Sequence, residues 1–518
     1  MKKRPPLLVL LGLLGGCNLA PHYDRPSSPA PAAFKEAPKA SAETEAAWER
    51  AQPRDAADRA KWWLIYQDET LNQLEDQVQA SNQTLKGDEA AFREARALVV
   101  EARAALFPTV TTSPSYTTFR SSRNVSGGVS SGVSSGGTTA ASGGSTTTTT
   151  TPVASGGGST AGGTGQLFSF PVEASWEPDL WGKIRNSVAA DAYAAQASAA
   201  DLANARLSIQ AQLAQDYFQL RATDEEQRIQ NDTVAAYRRD LDAALSLYRN
   251  GVDSDEDVAQ AQSQLDTAIA AGADIGASRA QFEHAIAVLV GKAPSQLSIP
   301  VIKFKAWAPP VPVVVPSQLL ERRPDIAGAE RRVASANAQI GVARAAYYPD
   351  LSLSATGGFE ASHFAQWFAW PSRFWSLGPT VSETLLDFGM RRGENEQAWA
   401  AYDQAVATYR QTVLTAFQAV EDNLALLRIL ATEVQLRQTA AKSSAHYLDL
   451  SQTRFKAGID SFLNVSAAQT ADLTNQNGLV QTQLRLVMAS VTLVTAAGGG
   501  WEDTDLPSPG HLVLVPAK

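Results

Sequence analysis

Two turns more than two hundred residues apart carry the same residues in the same order. Residues 248–258 read YRNGVDSDEDV and residues 455–465 read FKAGIDSFLNV. Gly251 answers Gly458, Asp253 answers Asp460, Ser254 answers Ser461 and Val258 answers Val465, each at a spacing of 207. A glycine suits the left-handed residue that ends a helix, and the Asp or Ser after it can cap the next one. Each turn lies between two long segments of helical periodicity, so the chain is expected to contain two antiparallel helical hairpins with related tips.

A second match, at a spacing of 241, pairs EARAALFPTV (101–110) with VARAAYYPDL (342–351). Both are a helix end, a proline and the start of an extended run. The offset changes because the first half carries 34 extra residues, and residues 126–165, of which 32 of 40 are Ser, Gly or Thr, account for them. Such a stretch buries too little apolar surface to order itself, and its place in the repeat makes it a loop between two strands. Around it Phe168, Phe170, Val172, Ala174 and Trp176 alternate with Ser169, Pro171, Glu173 and Ser175. Leu351, Leu353 and Ala355, then Trp375, Leu377 and Val381, keep the same period of two. Residues 109–119 alternate poorly and contain Pro114, which makes that strand the weakest of four.

After each second strand a long helix is expected. Residues 183–249 contain no proline, and residues 390–457 contain none and a single glycine, Gly393. At 1.5 Å per residue each would run roughly 100 Å. Their abundant alanine suits close helix-on-helix contact. Shorter helices return over about 254–291 and 461–497, and the proline-rich stretch 294–316 separates the halves.

Composition narrows the function classes. Hydrophobic residues make up 44% and charged residues 19%, which fits neither a disordered chain nor a polytopic helical membrane protein, and a net charge of −9 gives no reason to expect nucleic acid. His22, His284, His363, His446 and His511 lie far apart and Cys17 is the one cysteine, so zinc, disulfide and thiol chemistry lack evident ligands. No nucleophile–base pair or phosphate loop emerges, and neither an enzyme nor a cofactor is expected. Lys2, Lys3 and Arg4, the apolar run 7–16 and then Cys17 read as a bacterial secretory signal. Leu14-Gly15-Gly16-Cys17 resembles a lipobox, which implies lipidation at Cys17, and Asn18 after it favours outer-membrane sorting.

Ten-residue strands with aromatic ends are the signature of an outer-membrane β-barrel. Four strands cannot close one, and open edges in a bilayer are prohibitive, so several chains must share a barrel. The helical hairpins would extend it into a tube on the periplasmic side. The expected fold is an α+β membrane protein with internal duplication.

At this point the chain resembles a known family. PSQLLERRPDIAGAERRVASANAQIGVARAAYYPDLSLSATGGF (316–359) looks like the signature of TolC-like outer membrane factors, in particular the lipoprotein branch of RND-type efflux systems. Trp62-Trp63, DLWGKIR (179–185), VLVGKAPSQLSIP (288–300) and AAGGGW (496–501) fit it too, so the likeness runs from Cys17 to Trp501. The resemblance implies a homotrimer whose four strands per chain make a 12-stranded barrel above an α-helical periplasmic barrel. It also implies docking on a periplasmic adaptor and an inner-membrane pump. The expected divisions are a signal peptide (1–16), lipidated tether (17–60), helix (61–107), first β-hairpin (108–177, loop 120–165) and first helical hairpin (178–292, tip 250–258). A linker (293–320), helix (321–348), second β-hairpin (349–386), second helical hairpin (387–498, tip 457–465) and tail (499–518) follow.

Carried over by position, adaptor contact falls to Gly251, Asp253, Ser254, Val258, Gly458, Asp460, Ser461 and Val465; helix capping is the plainer role of the same residues. Leu463 matches a constricting leucine of the pump-linked branch, Ala467 stands where the family has a gate aspartate, and Asn464 replaces an acid of some relatives. Asp257 matches a family gate position, and with Asp255 and Glu256 it would ring the pore of a trimer with carboxylates able to attract cations. Arg322-Arg323-Pro324-Asp325 reads as a structural corner, with Pro324 and Asp325 in the first turn of a helix. A protein-secretion duct and, lower, a coiled-coil adhesive or scaffolding lipoprotein are the competing readings. The exported cargo is not legible.

Overall fold

A computed structural model describes residues 18–28, 31, 34–36, 59–120, 164–251, 254–304, 323–457, 459–499, 501 and 506–508. Two compact units are formed from interleaved parts of the chain. One comprises Met1–Arg103, Trp181–Tyr347 and Asp387–Lys518, the other Ala104–Leu180 and Tyr348–Leu386.

The first unit is helical. In place of one helix over 61–107, a 3-10 segment (Arg59–Tyr66) is followed by two helices, α1 (Glu69–Ser81) and α2 (Gln83–Ala104). Asn82 makes the break. Its backbone is extended, its Oδ1 accepts the Leu85 N–H at 3.0 Å, and its Nδ2 donates to the Leu289 carbonyl at 2.7 Å. An Asn side chain that satisfies backbone groups locally competes with helix continuation, and here it wins. Asp68 caps α1, its Oδ1 accepting from the N–H groups of Thr70 and Leu71.

The long helices are α3 (Lys183–Arg249), α4 (Asp255–Leu289), α5 (Pro324–Ala345), α6 (Met390–Lys456) and α7 (Phe462–Ala496). α3 and α6 are each 67 residues long, and α4 and α7 are each 35. Small residues let α3 and α5 lie close. Ala190, Ala197 and Ala200 are buried, Ser335 Oγ donates to the Ala190 carbonyl at 2.9 Å, and a Cβ on Gly341 would stand 2.5 Å from Asn186 Nδ2. α7 is apolar enough over 18 residues to cross a membrane by length and composition. Its buried residues are spent on helix packing. Val487 and Val491 join Trp63, Leu71, Tyr217 and Ile286 in one core, and Leu493 joins Val333, Tyr409, Val413 and Phe417 in another.

A buried polar network holds the segment after α4. Arg221 Nη1 donates to Asp224 Oδ2 (3.0 Å) and the Pro300 carbonyl (2.7 Å), and Arg279 donates to Asp224 Oδ1 (2.7 Å), Glu283 Oε2 (3.0 Å) and the Ile299 carbonyl (2.7 Å). Glu283 Oε1 accepts the Ile299 N–H at 2.6 Å. Proline-rich chain cannot supply its own ladder, so side chains from two helices satisfy its backbone.

The second unit is an antiparallel sheet of β1 (Thr109–Thr112), β2 (Ser115–Arg120), β3 (Thr164–Trp176), β4 (Asp350–Ala361) and β5 (Arg373–Ser382), in the order β1-β3-β4-β5 with β2 also on β3. The expected first strand is therefore two short ones, interrupted at Ser113-Pro114, because proline has no N–H for the ladder. Register pairs Val172 with Gly357 and Gly357 with Trp375, and pairs Ala174 with Ala355 and Ala355 with Leu377. One face thus carries Phe168, Phe170, Val172, Leu353, Leu377 and Val381, while Glu173, Ser175, Ser354, Thr356, Ser376 and Thr380 occupy the other. Val110, Val172, Trp375, Leu377 and Val381 are exposed on the apolar face.

Candidate functional site

The two matched turns come together. Leu241 and Ala244 at the end of α3, Val258 and Ala261 at the start of α4, Phe455 of α6 and Phe462 and Val465 of α7 form one apolar cluster. Val258 and Val465, the repeated valines, are thus members of the same cluster, and the Phe455 and Phe462 rings lie 5.8 Å apart.

Local chemistry builds each tip differently. In the first, Gly251 has φ +70°, the left-handed region in which a Cβ is strained, and its N–H donates to the Tyr248 carbonyl at 3.0 Å. Ser254 then caps α4: its Oγ accepts the Asp257 N–H at 3.3 Å and its hydroxyl donates to Asp257 Oδ2 at 2.6 Å. This reciprocal pair ties up one of the three acids expected to face a pore, while Asp255 and Glu256 are exposed. Carboxylates in a first helical turn also favour the helix dipole.

In the second tip Ser461 makes no side-chain cap to α7. Asp460 beside it accepts from the Ser461 N–H at 3.1 Å, from Arg454 Nε at 3.2 Å and from the Asn464 side-chain amide. The Asn464 amide above all, with that N–H and Arg454, holds the Asp460 carboxyl below the usual carboxylate range. Leu463 is 61% exposed and Ile459 68%, an apolar pair presented outward. Asp253 and Gly458 lie outside the described residues, as does Cys17. Among the described residues no group of three His, Cys, Asp or Glu side chains is placed to hold a metal ion.

Just behind the tips lies a set of contacts that sequence reasoning passed over. Ser466, Gln469 and Asp472 are buried polar residues on α7. Ser466 accepts from Gln264 of α4, Gln469 donates to Asp240 of α3, and Asp472 accepts from Ser444 of α6 at 2.9 Å. Burial pushes the Asp240 carboxyl up, against the pull of its Gln469 bond. Their spacing of three along α7 was the available signal, since it places them on one face.

The Arg323–Asp325 corner is closed by two hydrogen bonds, of 3.0 and 2.6 Å, and Arg323 Nη1 also donates to the Ala496 carbonyl at 2.9 Å. Arg323 thereby joins the start of α5 to the last carbonyls of α7, where a cation complements the dipole. Arg322 lies outside the described residues.

Residues 74–292 and 315–499 match the family model described as outer membrane efflux protein. The chain is similar to the toluene efflux pump outer membrane protein TtgC of Pseudomonas putida, at 28% identity over 499 residues, covering 96% of this chain and 95% of that one. It is similar to the pyoverdine export outer membrane protein OpmQ of Pseudomonas aeruginosa, at 28% identity over 450 residues, 86% and 89% of the two chains. Among solved structures, the outer-membrane channel OprN superposes with a TM-score of 0.78 at 26% identity, covering 94% of this chain and 100% of that one. The Campylobacter jejuni outer membrane channel CmeC shares the fold, with a TM-score of 0.81 at 21% identity over 94% and 96% of the chains.

Proposed function

Because the chain belongs to the outer membrane efflux protein family, and so is an outer-membrane channel protein of an efflux pump, we propose that three copies form one passive exit duct. Each chain contributes one sheet to a shared 12-stranded barrel, and the helical hairpins, a duplicated unit, continue the barrel as a periplasmic conduit. A lipid at Cys17 anchors it to the membrane. A periplasmic adaptor docks on the tips, and an inner-membrane RND-type transporter supplies the energy and selects small-molecule cargo.

The observation that carries this reading is the sheet. β3, β4 and β5 are 13, 12 and 10 residues long, and a tilted membrane-spanning strand needs about 9–11. Their apolar face is exposed, their other face is lined by Ser, Thr and Glu, and a sheet of this width has two edges that a bilayer cannot tolerate unpaired. Symmetric copies solve that problem by pairing edge to edge. At the tips, Leu463 forms the constriction and Asp255 and Glu256, with the capped Asp257, the acidic ring near it. Gly251, Ser254, Asp460 and Ser461, with Asp253 and Gly458, form the adaptor-facing ends, while Val258 and Val465, expected there too, pack in the shared cluster beneath them.

The test is the native mass of the protein extracted from outer membranes in mild detergent. Three lipidated copies per particle are expected; a monomer overturns the shared barrel. Single-channel recordings of the Asp255→Asn/Glu256→Gln variant then check the gate, with weaker block by divalent cations expected and unchanged block overturning the acidic ring.

A further inference from the structure

We propose that the loop joining β4 to β5 is a membrane-interface anchor lying on the lipid-facing side of the barrel, and not a lid over its mouth. The inference rests on the apolar face of the sheet being the lipid face, as proposed above. The loop is built by two 3-10 turns, Phe364–Gln366 and Trp370–Ser372, locked by the Ser372 hydroxyl donating to the Gln366 carbonyl at 2.7 Å. Three of its aromatic side chains pack on rings of the sheet. Phe364 and Trp367 lie 5.7 and 5.5 Å from the Phe168 ring, and Phe368 lies 5.9 Å from Phe170 and 5.6 Å from Phe359.

Phe168, Phe170 and Phe359 share the face of Val172, Ala174 and Leu377, by register and alternation. The loop therefore folds onto the apolar face, away from the Ser/Thr/Glu face that would line the pore. Trp367 is the inner wedge, stacked on Phe368 at 5.0 Å, while Phe364 is 71%, Phe368 61% and Trp370 72% exposed. Large aromatics left exposed beside an apolar face, at the hairpin end of a membrane strand, fit the boundary between acyl chains and headgroups.

Charge points to the same partner. Arg373 sits with its guanidinium 3.3 Å from the Trp370 ring centroid and donates Nε to the Trp370 carbonyl at 3.1 Å. It shares the apolar face, as does Arg120 at the end of β2, and both are exposed. Cations at the rim of an apolar band, with rings beside them, suit the phosphates of a lipid surface. A mouth-capping loop has no use for apolar rings packed on the outer side.

The experiment reconstitutes the full-length protein into phosphatidylcholine–phosphatidylglycerol vesicles whose acyl chains are brominated either near the headgroup or deep in the bilayer. Tryptophan fluorescence of the wild type is compared with that of Trp370→Phe and Trp375→Phe, so that each difference isolates one ring. Trp370 is expected to be quenched by the shallow bromine, to be spared by the deep one, and to be sheltered from aqueous iodide. Trp375, on the sheet itself, is the reference. Trp375 quenched by brominated lipid while Trp370 answers only to iodide overturns the anchor and leaves the barrel standing. Trp375 unquenched by either lipid overturns the transmembrane sheet, and the anchor with it. A Phe364→Ala/Phe368→Ala variant is expected to conduct like the wild type in planar bilayers, and a rise in its conductance would show a lid and overturn the proposal.

Discussion

Gln469 of α7 donates a hydrogen bond to the half-buried carboxyl of Asp240 on α3, so the second hairpin is tied to the first just behind the tips. Both residues lie close to the cluster that unites Val258 with Val465. If the tips close the duct, this bond helps to hold them closed. Gln469→Ala should raise basal conductance in planar bilayers, whereas Asp240→Asn, which keeps an acceptor, should conduct like the wild type. Equal conductance of Gln469→Ala and wild type would remove the bond from the gate.

The repeated serines should behave differently on truncation. Ser254 caps its helix through Asp257 and Ser461 does not cap. Ser254→Ala is expected to lose about 1 kcal/mol, while Ser461→Ala loses a fraction of that. Denaturant unfolding of the two variants in detergent reads the difference, and equal losses would contradict the asymmetry.

Removing Asp224 should be far more damaging than removing a surface acid. Its side chain is 1% exposed and it accepts from both Arg221 and Arg279. Asp224→Ala leaves the buried Arg221 guanidinium without its anion and Arg279 with Glu283 alone, and breaking a buried pair in this way typically costs about 3–5 kcal/mol. Arg228 and Asp232, an exposed pair at 2.7 Å, supply the control: Asp232→Ala should change stability by less than about 1 kcal/mol.

Glu75 should make the protein less stable as pH rises. It is fully buried in α1, both carboxylate oxygens lack a hydrogen-bond partner among the described residues, and burial, with Asp76 second, raises its pKa well above the usual range. The folded state therefore holds a proton that the unfolded chain releases near pH 4. Stability is greatest below that pH and falls as pH climbs toward the raised folded value. Glu75→Gln should flatten this slope and raise the melting temperature at pH 8 more than at pH 5. A variant with an unchanged pH slope would assign the dependence elsewhere.

Much of this architecture was readable because it depends on local rules. The absence of proline in 183–249 and 390–457, with Gly251 just past the end of the first, marks the long helices α3 and α6. The alternation of Phe168 through Trp176 marks β3. What stayed hidden depends on partners distant in sequence. Asn82 breaks a helix because the Leu289 carbonyl, 207 residues on, needs a donor. Ser461 looks like the twin of Ser254, yet it makes no side-chain cap, and the neighbouring Asp460 is held instead by Arg454 and the Asn464 side chain. The bond between Asp240 and Gln469 spans 229 residues and belongs to no motif. The direction in which Phe364, Trp367 and Phe368 fold was open in the sequence, since either face of a hairpin was available to them.

The equal lengths of α3 and α6, 67 residues each, limit how such a chain can change over time. One residue added to α6 alone would advance its tip by about 1.5 Å and turn it by about 100°. Phe462 and Val465 would swing away from Ala244 and Ala261, and the shared cluster of the tips would come apart. Insertions and deletions in these helices are therefore tolerable only as matched events in both, or in whole turns compensated on the returning helix. The two hairpins, 207 residues apart along the chain, have to drift in step.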